Sequence, residues 1–275
     1  MKLILTALLQ EARPIIEELR LKHDPASRKI PVYRSDKTLL VVSGIGKLYA
    51  AVATVHAYHI AEQPEDCHLF NIGMCGGVID SVALGQVLRI HKIWDAANGR
   101  QYFPEMLLDM PFEDASLGTF DKPVTTSDRL NLPCDLVDME ASGVFQAARL
   151  FIAPHQMTFI KVVSDCLNFT PKDYPEMVRH FEESAKTWLP ILKQDMGLNL
   201  ANRVLKNKQD QFLSDVVKEM RFTKTQSHQL IEAAAGYIVR GGKDLELLKP
   251  LMEIRPKHKS VRNKVFDAMI KDLNR

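Results

Sequence analysis

Three carboxylates of this sequence each come directly after a short apolar run. Glu11 follows the first of these runs, Glu140 ends the segment Asp138-Met139-Glu140, and Asp165 follows the last run. Such runs are typical of strands buried in an α/β sheet, and ligands bind these sheets at the carboxyl ends of the strands. Carboxylates at that edge can exchange protons with a bound molecule as general acids and bases. We therefore expect Glu11, Glu140 and Asp165 to lie around one pocket, although they are far apart along the chain.

Each of these carboxylates also has a purely structural interpretation. Glu11 and Glu140 stand at or just before the first turn of a predicted helix, where the helix dipole favours a negative charge. Asp165 could be an ordinary turn aspartate, because its side chain can accept hydrogen bonds from nearby backbone groups. Taken one at a time, the three positions leave both interpretations open.

Two glycine-containing segments lie at the ends of predicted strands. Ser43-Gly44-Ile45-Gly46-Lys47 joins a strand to a helix, and the run 71–78 follows another strand. Glycines there let backbone N–H groups approach a ligand closely, which favours an anion or ribose site. Leu48 and Tyr49 stand where a P-loop needs Ser or Thr and where a dinucleotide motif needs its third glycine. A tight packing turn explains the first segment equally well.

The elements that must position these residues are predicted from the periodicity of the apolar residues. Apolar runs predict strands, and apolar residues at helical spacing predict helices. Strands and helices alternate, which predicts the α/β class. Residues 95–115 have no clear pattern, so we predict a loop over the site there. Strands are predicted at 2–8, 38–42, 67–72, 86–94, 117–124 and 157–163, and helices at 9–21, 48–61, 141–151 and 172–198.

Charge divides the chain into two parts. The whole chain is 46% hydrophobic and long enough to bury a large core, and its formal charge of +2 says little about partners. Beyond residue 200 there are 16 Lys and Arg against 9 Asp and Glu, whereas the first 200 residues hold 20 against 25. We predict a domain over residues 1–198 and a small, basic, all-α C-terminal extension over residues 199–275 with four helical segments.

Signals for export, membrane insertion and metal binding are weak. The apolar start of the chain is short and lacks a small-residue cleavage site, and no apolar stretch approaches the roughly 20 residues that span a bilayer. Four single cysteines, Cys67, Cys75, Cys134 and Cys166, show no metal-binding spacing and are expected to be buried and reduced. We therefore expect a cytoplasmic protein without membrane contact, metal or cofactor.

Five segments, taken in order, resemble those of one enzyme family. They are Ala7-Leu8-Leu9-Gln10-Glu11, Ser43-Gly44-Ile45-Gly46-Lys47, Asn71-Ile72-Gly73-x-x-Gly76-Gly77, Val137-Asp138-Met139-Glu140-Ala141 and Ser164-Asp165. The family is that of the nucleoside phosphorylases, and the resemblance is closest to its nucleosidases, which hydrolyse 5′-methylthioadenosine and S-adenosylhomocysteine. It covers residues 1 to about 198 and leaves the C-terminal extension outside. It implies a three-layer αβα fold with a central mixed, partly closed sheet.

The resemblance also implies a role for each candidate residue. Glu11 would activate the attacking water, Glu140 would bind the ribose hydroxyls, and Asp165 would deliver a proton toward N7 of the purine. The reaction needs such groups, because an adenine anion leaves poorly and cleavage passes through an oxocarbenium-like state. The substrate is expected beside Gly44, Gly73, Met74, Gly76, Met139, Glu140 and Ser164.

Hydrolysis is favoured over phosphorolysis. The segment Leu8-Leu9-Gln10-Glu11 stands where the phosphorylases usually carry Gly-Asp-Pro together with a phosphate-binding arginine, and Arg13 is a poor substitute for that arginine. Met74 replaces a serine that the nucleosidases usually have. Arg129 and Leu130 stand where the family often places an aromatic residue against the purine. These differences concern the substrate, so its 5′ group stays open.

Three hypotheses for function follow. The first is an adenine nucleosidase that, like the family, forms a homodimer through the face near the site. The second is a purine nucleoside phosphorylase. The third is a non-catalytic nucleoside-binding protein that acts through the basic extension. Lys259 and Arg262 belong to a basic cluster that could contact phosphates, but no interleaved aromatic residues accompany it, so the nucleic-acid signal is weak.

Overall fold

The computed structural model describes residues 1–27, 29–62, 67–104, 110–193, 207–239, 242, 244–256 and 258–273. The chain separates into two compact units, Met1–Asp195 and Met196–Arg275. The domain boundary predicted between residues 198 and 199 lies outside the described residues. Within the described ranges, no helix is both long and apolar enough to cross a bilayer.

The first unit alternates strands and helices, so the predicted α/β class is confirmed. Short 3-10 helices at Thr126–Asn131 and Pro154–Gln156 join some of the elements. In chain order the elements are β1 (Lys2–Thr6), α1 (Leu9–Glu18), β2 (Lys22–His23), β3 (Val32–Arg34), β4 (Thr38–Val42), α2 (Lys47–Ile60), β5 (His68–Gly77), β6 (Val87–Asp95), β7 (Gln101–Tyr102), β8 (Glu113–Thr119), β9 (Leu136–Asp138), α3 (Ala141–Ala148), β10 (Met157–Asp165) and α4 (Tyr174–Lys193).

One sheet runs through the first unit, and part of it closes on itself. The strand order is β10-β6-β8-β9-β5-β1-β4-β3-β2, with β7 beside β6, and β10 also pairs with β5. The strands β5, β9, β8, β6 and β10 therefore form a closed ring, from which β1, β4, β3 and β2 extend as an open sheet. Parallel pairs such as β10–β5 occur together with antiparallel pairs such as β10–β6. The predicted mixed, partly closed sheet is confirmed.

Helices cover both faces of the sheet. α1 packs with α4, and α2 packs with α3. Side chains alternate along a strand, so Leu3 and Leu5 of β1 point to the side of α2, where they share a core with Ala50 and Ala53. Ile4, between them, is buried on the opposite face. The small alanine side chains let α2 lie close to the sheet. The predicted three-layer αβα arrangement is confirmed.

Two local predictions are wrong. The strand predicted at 67–72 extends to Gly77, because β10 pairs along its length and β9 pairs with its end. The glycines predicted to follow the strand are therefore part of it. The loop predicted at 95–115 contains β7 and the start of β8, although residues 105–109 lie outside the described part of the chain. In both regions, pairing with distant strands decides the structure.

Every described element of the second unit is helical, as predicted for the C-terminal extension. The elements are α5 (Asn207–Met220), α6 (Lys224–Val239), a 3-10 helix (Glu246–Leu248), α7 (Lys249–Met252) and α8 (Lys259–Leu273). Phe222, in the turn between α5 and α6, packs edge-on against Phe266 of α8 with ring centroids 5.4 Å apart. The core of this unit includes Leu213, Val216, Met220, Leu230, Ala234, Leu248, Val265 and Met269.

Candidate active site

The carboxyl ends of the parallel strands β1, β5 and β10 lie beside a cavity of about 260 Å³, and the short strand β9, which runs antiparallel to β5, ends beside it too. Glu11, Glu140 and Asp165 all line this cavity, so the structure brings the three acids together. The other predicted substrate-binding residues that line it are Met74, Gly76, Met139 and Ser164. Apolar residues, which include Leu8, Ile45, Val137, Leu167 and Met177, make up much of the rest of its lining.

Glu11 is fixed at the start of α1 by three backbone N–H groups. Its Oε2 accepts hydrogen bonds of 2.8 Å from the N–H groups of Ala7 and Leu8, and its Oε1 accepts one of 2.8 Å from Met74. Burial raises the pKa of the Glu11 carboxyl, against the lowering effect of these hydrogen bonds. A group with a raised pKa and a fixed orientation can accept a proton from a bound water.

Two predicted glycines lie behind the cavity rather than in its described wall. Gly73 has no side chain because a Cβ there would stand 2.9 Å from Glu11 Oε1, so glycine is required for the carboxylate to reach β5. Gly44 has a φ of 82°, a conformation that favours glycine, and it turns the chain toward α2. Neither belongs to the described residues that line the cavity. Their direct contact with a substrate stays a prediction.

Glu140 is held by the glycine turn that precedes α2. Its Oε1 accepts a hydrogen bond of 2.8 Å from the Gly46 N–H, and Gly46 has a φ of 108° that favours glycine. The turn between β4 and α2 thus binds a side chain from the start of α3. Burial and the neighbouring charge of Asp138 raise the pKa of Glu140 to about 7. Its oxygens face the same cavity as those of Glu11.

A buried ion pair lies beneath these carboxylates, and the sequence analysis missed it. Lys161 Nζ lies 2.9 Å from Asp138 Oδ2, and the two side chains are only 2% and 1% exposed. Asp138 also accepts hydrogen bonds from Thr119 Oγ1 at 2.7 Å and from the Ala141 N–H at 2.9 Å. The Lys161 ammonium, the Thr119 hydroxyl and the Ala141 N–H all donate to Asp138, so this carboxylate has a structural role.

Lys161 balances the negative charge of the site. Burial opposes the charge on its amine, but the carboxylates of Asp138, Glu140 and Glu11 outweigh that effect and raise the pKa of Lys161. One ammonium therefore faces three carboxyl groups and offsets their negative charge only in part. The remaining repulsion from Asp138 contributes to the raised pKa of Glu140. A charged residue within the apolar run 157–163 was the available signal, since a buried lysine requires a partner.

Asp165 stands at the far end of the cavity, at the end of β10. Its Oδ1 accepts a hydrogen bond of 2.9 Å from the Leu167 N–H, and Ser164 Oγ lies 3.0 Å from its Oδ2. The Ser164 hydroxyl also lies 3.1 Å from the Cys75 carbonyl oxygen, so it can donate to either group. Gly76 is required here, because a Cβ would approach Asp165 Oδ1 to 3.3 Å and Leu167 Cδ2 to 2.9 Å.

The cover of the cavity comes from a different loop than predicted. No described residue of 95–115 lines it, whereas Lys122, Pro123 and Val124 do. Lys47 anchors this loop, because its Nζ lies 3.0 Å from Asp95 and 3.1 Å from Asp121. The loop that follows β8 is therefore tied to the start of α2.

Arg129, which stands where the family often has an aromatic residue, points elsewhere. Its guanidinium donates to the Val78 carbonyl oxygen and to the Asp80 carboxylate. It is not among the described residues of the cavity wall. The apolar contacts at this end of the cavity come instead from Leu167 and Phe169.

Comparison with known proteins gives a likeness of structure only. No family model matches the chain, and no curated protein matches its sequence. Among solved structures, a 5′-methylthioadenosine/S-adenosylhomocysteine nucleosidase from Helicobacter pylori with a bound Immucillin inhibitor matches with a TM-score of 0.59 and 14% identity, over 70% of this chain and 97% of that one. The corresponding enzyme of S. pneumoniae matches with a TM-score of 0.58 and 21% identity, over 70% and 99%.

A related hydrolase shows the same likeness. A mutant of the futalosine hydrolase of Helicobacter pylori matches with a TM-score of 0.57 and 12% identity, over 69% of this chain and 98% of that one. These chains are aligned over almost their whole length, so the part of the present chain outside the match is additional to their fold. The nucleoside phosphorylase-like fold predicted from the five segments is confirmed: this chain has the fold of the 5′-methylthioadenosine/S-adenosylhomocysteine nucleosidases.

Proposed function

We propose that this protein is a purine nucleosidase that hydrolyses the N-glycosidic bond of an adenine nucleoside, such as 5′-methylthioadenosine or S-adenosylhomocysteine. The observation that carries the proposal is the convergence of Glu11, Glu140 and Asp165 on one cavity. The solved structures of this fold include nucleosidases with bound adenine and with nucleoside analogues, which supports the same substrate class here. The fold alone would not be sufficient support, because one fold can carry several activities.

Glu11 is the general base of the proposed reaction. Three backbone hydrogen bonds fix its carboxylate, so it can hold a water in one position relative to the sugar. Its raised pKa makes it a stronger base than an exposed glutamate. Lys161 stabilises the ionised form, which is the form that accepts the proton. The water then attacks the anomeric carbon as positive charge develops there.

Asp165 is the general acid. An adenine anion is a poor leaving group, so a proton must reach N7 as the glycosidic bond breaks. Glu11 lies against β5 at Gly73, whereas Asp165 lies against it at Gly76, so the general acid stands apart from the proposed general base. Ser164 orients the Asp165 carboxyl group. Each of the two proton transfers is worth about 10²–10⁴-fold in rate.

Glu140 and Met139 bind the ribose. The Glu140 carboxylate can accept hydrogen bonds from two adjacent sugar hydroxyls, while Gly46 fixes its orientation. Met139 lines the cavity beside it and offers an apolar surface to the sugar. The ionised form of Glu140 is the better acceptor, so ribose recognition should improve as the pH rises through about 7.

Water, rather than phosphate, is the proposed nucleophile. Phosphorolysis needs a cation that can hold a phosphate beside the sugar. Arg13, the arginine considered for that role, lines a separate groove with Glu17 and Glu18. Lys161 is already paired with Asp138. Lys122 does line the cavity, but it is an exposed residue of the covering loop. These placements favour hydrolysis.

The proposed activity can be tested with the purified full-length chain. Adenine should be released from 5′-methylthioadenosine in phosphate-free buffer, and added phosphate should not change the rate. Glu11→Gln and Asp165→Asn should each lower turnover by about 10²–10⁴-fold, with an unchanged circular dichroism spectrum. Release that requires phosphate would establish a phosphorylase. Tight nucleoside binding without turnover between pH 5 and 8 would establish the non-catalytic alternative.

We also propose that the protein is a homodimer. Leu48, Tyr49 and Val52 of α2 are 82%, 67% and 59% exposed, and Ile45 next to them also lines the cavity. An exposed apolar patch of this kind marks a protein interface, and a second copy seated here would cover the cavity mouth. Sedimentation equilibrium should give a dimer for the wild type and a monomer for Val52→Glu. A monomeric wild type would refute this arrangement. The cytoplasmic location expected from the sequence stays a prediction.

A further inference from the structure

A second cavity adjoins the first one. It has a volume of about 220 Å³ and lies between the start of α4 and the segment that follows β10. The two cavities share four lining residues, which are Ser164, Asp165, Phe169 and Met177. The side chains of these four residues therefore form the wall that the two cavities have in common.

The shared residues identify the end of the first cavity to which the second belongs. Glu11 and Glu140 line only the first cavity, whereas Asp165 lines both. On the proposed function, Asp165 faces N7 of the purine, so the second cavity lies at the base end of the site rather than at the ribose end. The inference rests on the proposed function through this one assignment.

The shared wall can yield at Phe169 and Met177. The Phe169 residue is 44% exposed, so part of its side chain faces solvent instead of the core. Met177 is half-buried, and a methionine side chain adapts readily to a new neighbour because it is long and unbranched. A group attached to a base beside Asp165 can therefore displace these side chains without disturbing the buried sheet.

The second cavity offers hydrogen-bonding groups. His180 Nε2 is buried and has no hydrogen-bond partner among the described residues, and its nearest carboxylate oxygen is Glu176 Oε1 at 3.8 Å. Buried polar atoms normally form hydrogen bonds, so this nitrogen is available to bind a polar group of a ligand. Asn168 contributes an amide that can donate and accept. Glu176 is already paired with Arg179 at 3.0 Å.

We propose that the second cavity receives a polar, uncharged substituent on the exocyclic 6-amino group of the substrate's adenine. In a purine this amino group lies next to N7, and so next to the atom that Asp165 is assigned to protonate. A volume of about 220 Å³ holds roughly seven groups the size of water. A hydroxyalkyl chain fits this space, with its hydroxyl reaching His180 or Asn168. The protein would then act on N6-substituted adenine nucleosides as well as on unsubstituted ones.

Two matched nucleosides test the inference. They are 5′-methylthioadenosine and its N6-(2-hydroxyethyl) derivative, and kcat/KM is measured for each by release of the base. The wild type should cleave both within about tenfold of each other. His180→Leu and Asn168→Leu should each lower kcat/KM for the substituted nucleoside by about tenfold and leave the unsubstituted one within about twofold. Lys186→Leu, on the same helix but outside both cavities, should change neither value.

Binding of the free bases gives a second readout that does not depend on catalysis. Adenine and N6-(2-hydroxyethyl)adenine should bind the wild type with similar affinity by calorimetry, and His180→Leu should weaken only the second. If neither nucleoside is cleaved but this binding pattern holds, the proposed reaction fails and the base-side cavity stands.

Two outcomes overturn the inference. One is exclusion of the N6-substituted nucleoside and base by the wild type, with affinity at least about 100-fold lower. The other is a loss in His180→Leu or Asn168→Leu that affects S-adenosylhomocysteine instead, which would assign the second cavity to the 5′ group.

Discussion

Replacing Lys161 with Met tests the electrostatic core of the site. The substitution removes the ammonium that lies 2.9 Å from Asp138, where both side chains are at most 2% exposed. Removing one partner of a buried ion pair typically costs about 3–5 kcal/mol in the free energy of unfolding. Asp138 keeps its hydrogen bonds from Thr119 and Ala141, which continue to stabilise its charge. We therefore expect the lower end of that range, about 3 kcal/mol.

The assay can report on the first unit alone. The chain has two tryptophans, and both Trp94 and Trp188 lie in the unit Met1–Asp195. Urea unfolding followed by tryptophan fluorescence at pH 7.5 should therefore measure this unit without the C-terminal helices. A loss of about 3 kcal/mol corresponds to a fall in Tm of roughly 6–12 °C for a unit of this size.

A surface ion pair in the same sheet provides the matched control. Arg89 of β6 lies 2.8 Å from Asp114 of β8, where the aspartate side chain is 44% exposed. Arg89→Met should cost no more than about 1 kcal/mol. The double variant Lys161→Met with Asp138→Asn should regain about 2 kcal/mol relative to Lys161→Met, because the carboxylate in direct contact with the missing ammonium is removed as well. Equal losses in Lys161→Met and Arg89→Met, or no recovery in the double variant, would refute the reasoning.

Three further predictions concern the groups around Glu11 and Glu140. Gly73→Ala places a Cβ where it would meet Glu11 Oε1 at 2.9 Å, so turnover of 5′-methylthioadenosine should fall by about 10²-fold while urea unfolding changes little; unchanged turnover would remove Glu11 from the mechanism. Burial raises the pKa of Glu140 from 4.5 to about 7, so the unfolded chain loses this proton first and stability falls as the pH rises through that window. Glu140→Gln should remove roughly 3 kcal/mol of this pH dependence in urea unfolding, and an unchanged profile would contradict the assignment. Gly143→Ala places a Cβ 2.3 Å from the Lys47 carbonyl oxygen, which separates α2 from α3 and should cost at least about 1–3 kcal/mol in the same assay; a neutral effect would contradict that close contact.

The strands and the three acids could be predicted because their signals are local. β4 has the predicted bounds, since Thr38–Val42 is an uninterrupted run of strand-forming residues. Glu11 and Asp165 stand at the ends of similar runs, and parallel strands place such ends at one edge. A short apolar run followed by an acid is therefore enough to predict where each side chain lies. The chemical role of the acid can be predicted only when the residues around it are known.

Lys161 could not be assigned from the sequence because its partner is remote. Asp138 stands on β9 and Lys161 on β10, strands that meet β5 but do not pair with each other. A lysine within an apolar run indicates burial, but the run does not say which of many acids will face it. The same limit applies to Glu140, whose hydrogen bond to Gly46 joins residues 94 positions apart.

The end of β5 was predicted wrongly for the opposite reason. The glycines in this strand give a strong local signal, but that signal is ambiguous. Glycine between apolar residues often indicates a turn. In β5 it instead allows close approach, since a Cβ at Gly76 would come within 3.0 Å of Val137 on β9 and within 3.3 Å of Asp165 on β10. Crowding by strands far away in sequence thus selects glycine in the middle of a sheet.

The closed ring of strands has a consequence for synthesis on the ribosome. The ring closes only when β10 pairs with both β5 and β6, and β10 ends at Asp165. A nascent chain that stops before residue 157 leaves β5 and β6 with unpaired edges, which are templates for misassociation. Residues after β10 must be synthesised and occupy the exit tunnel before that strand can emerge and dock. The helices from α4 onward are synthesised after β10. They therefore occupy the tunnel while β10 leaves the ribosome and closes the ring of strands.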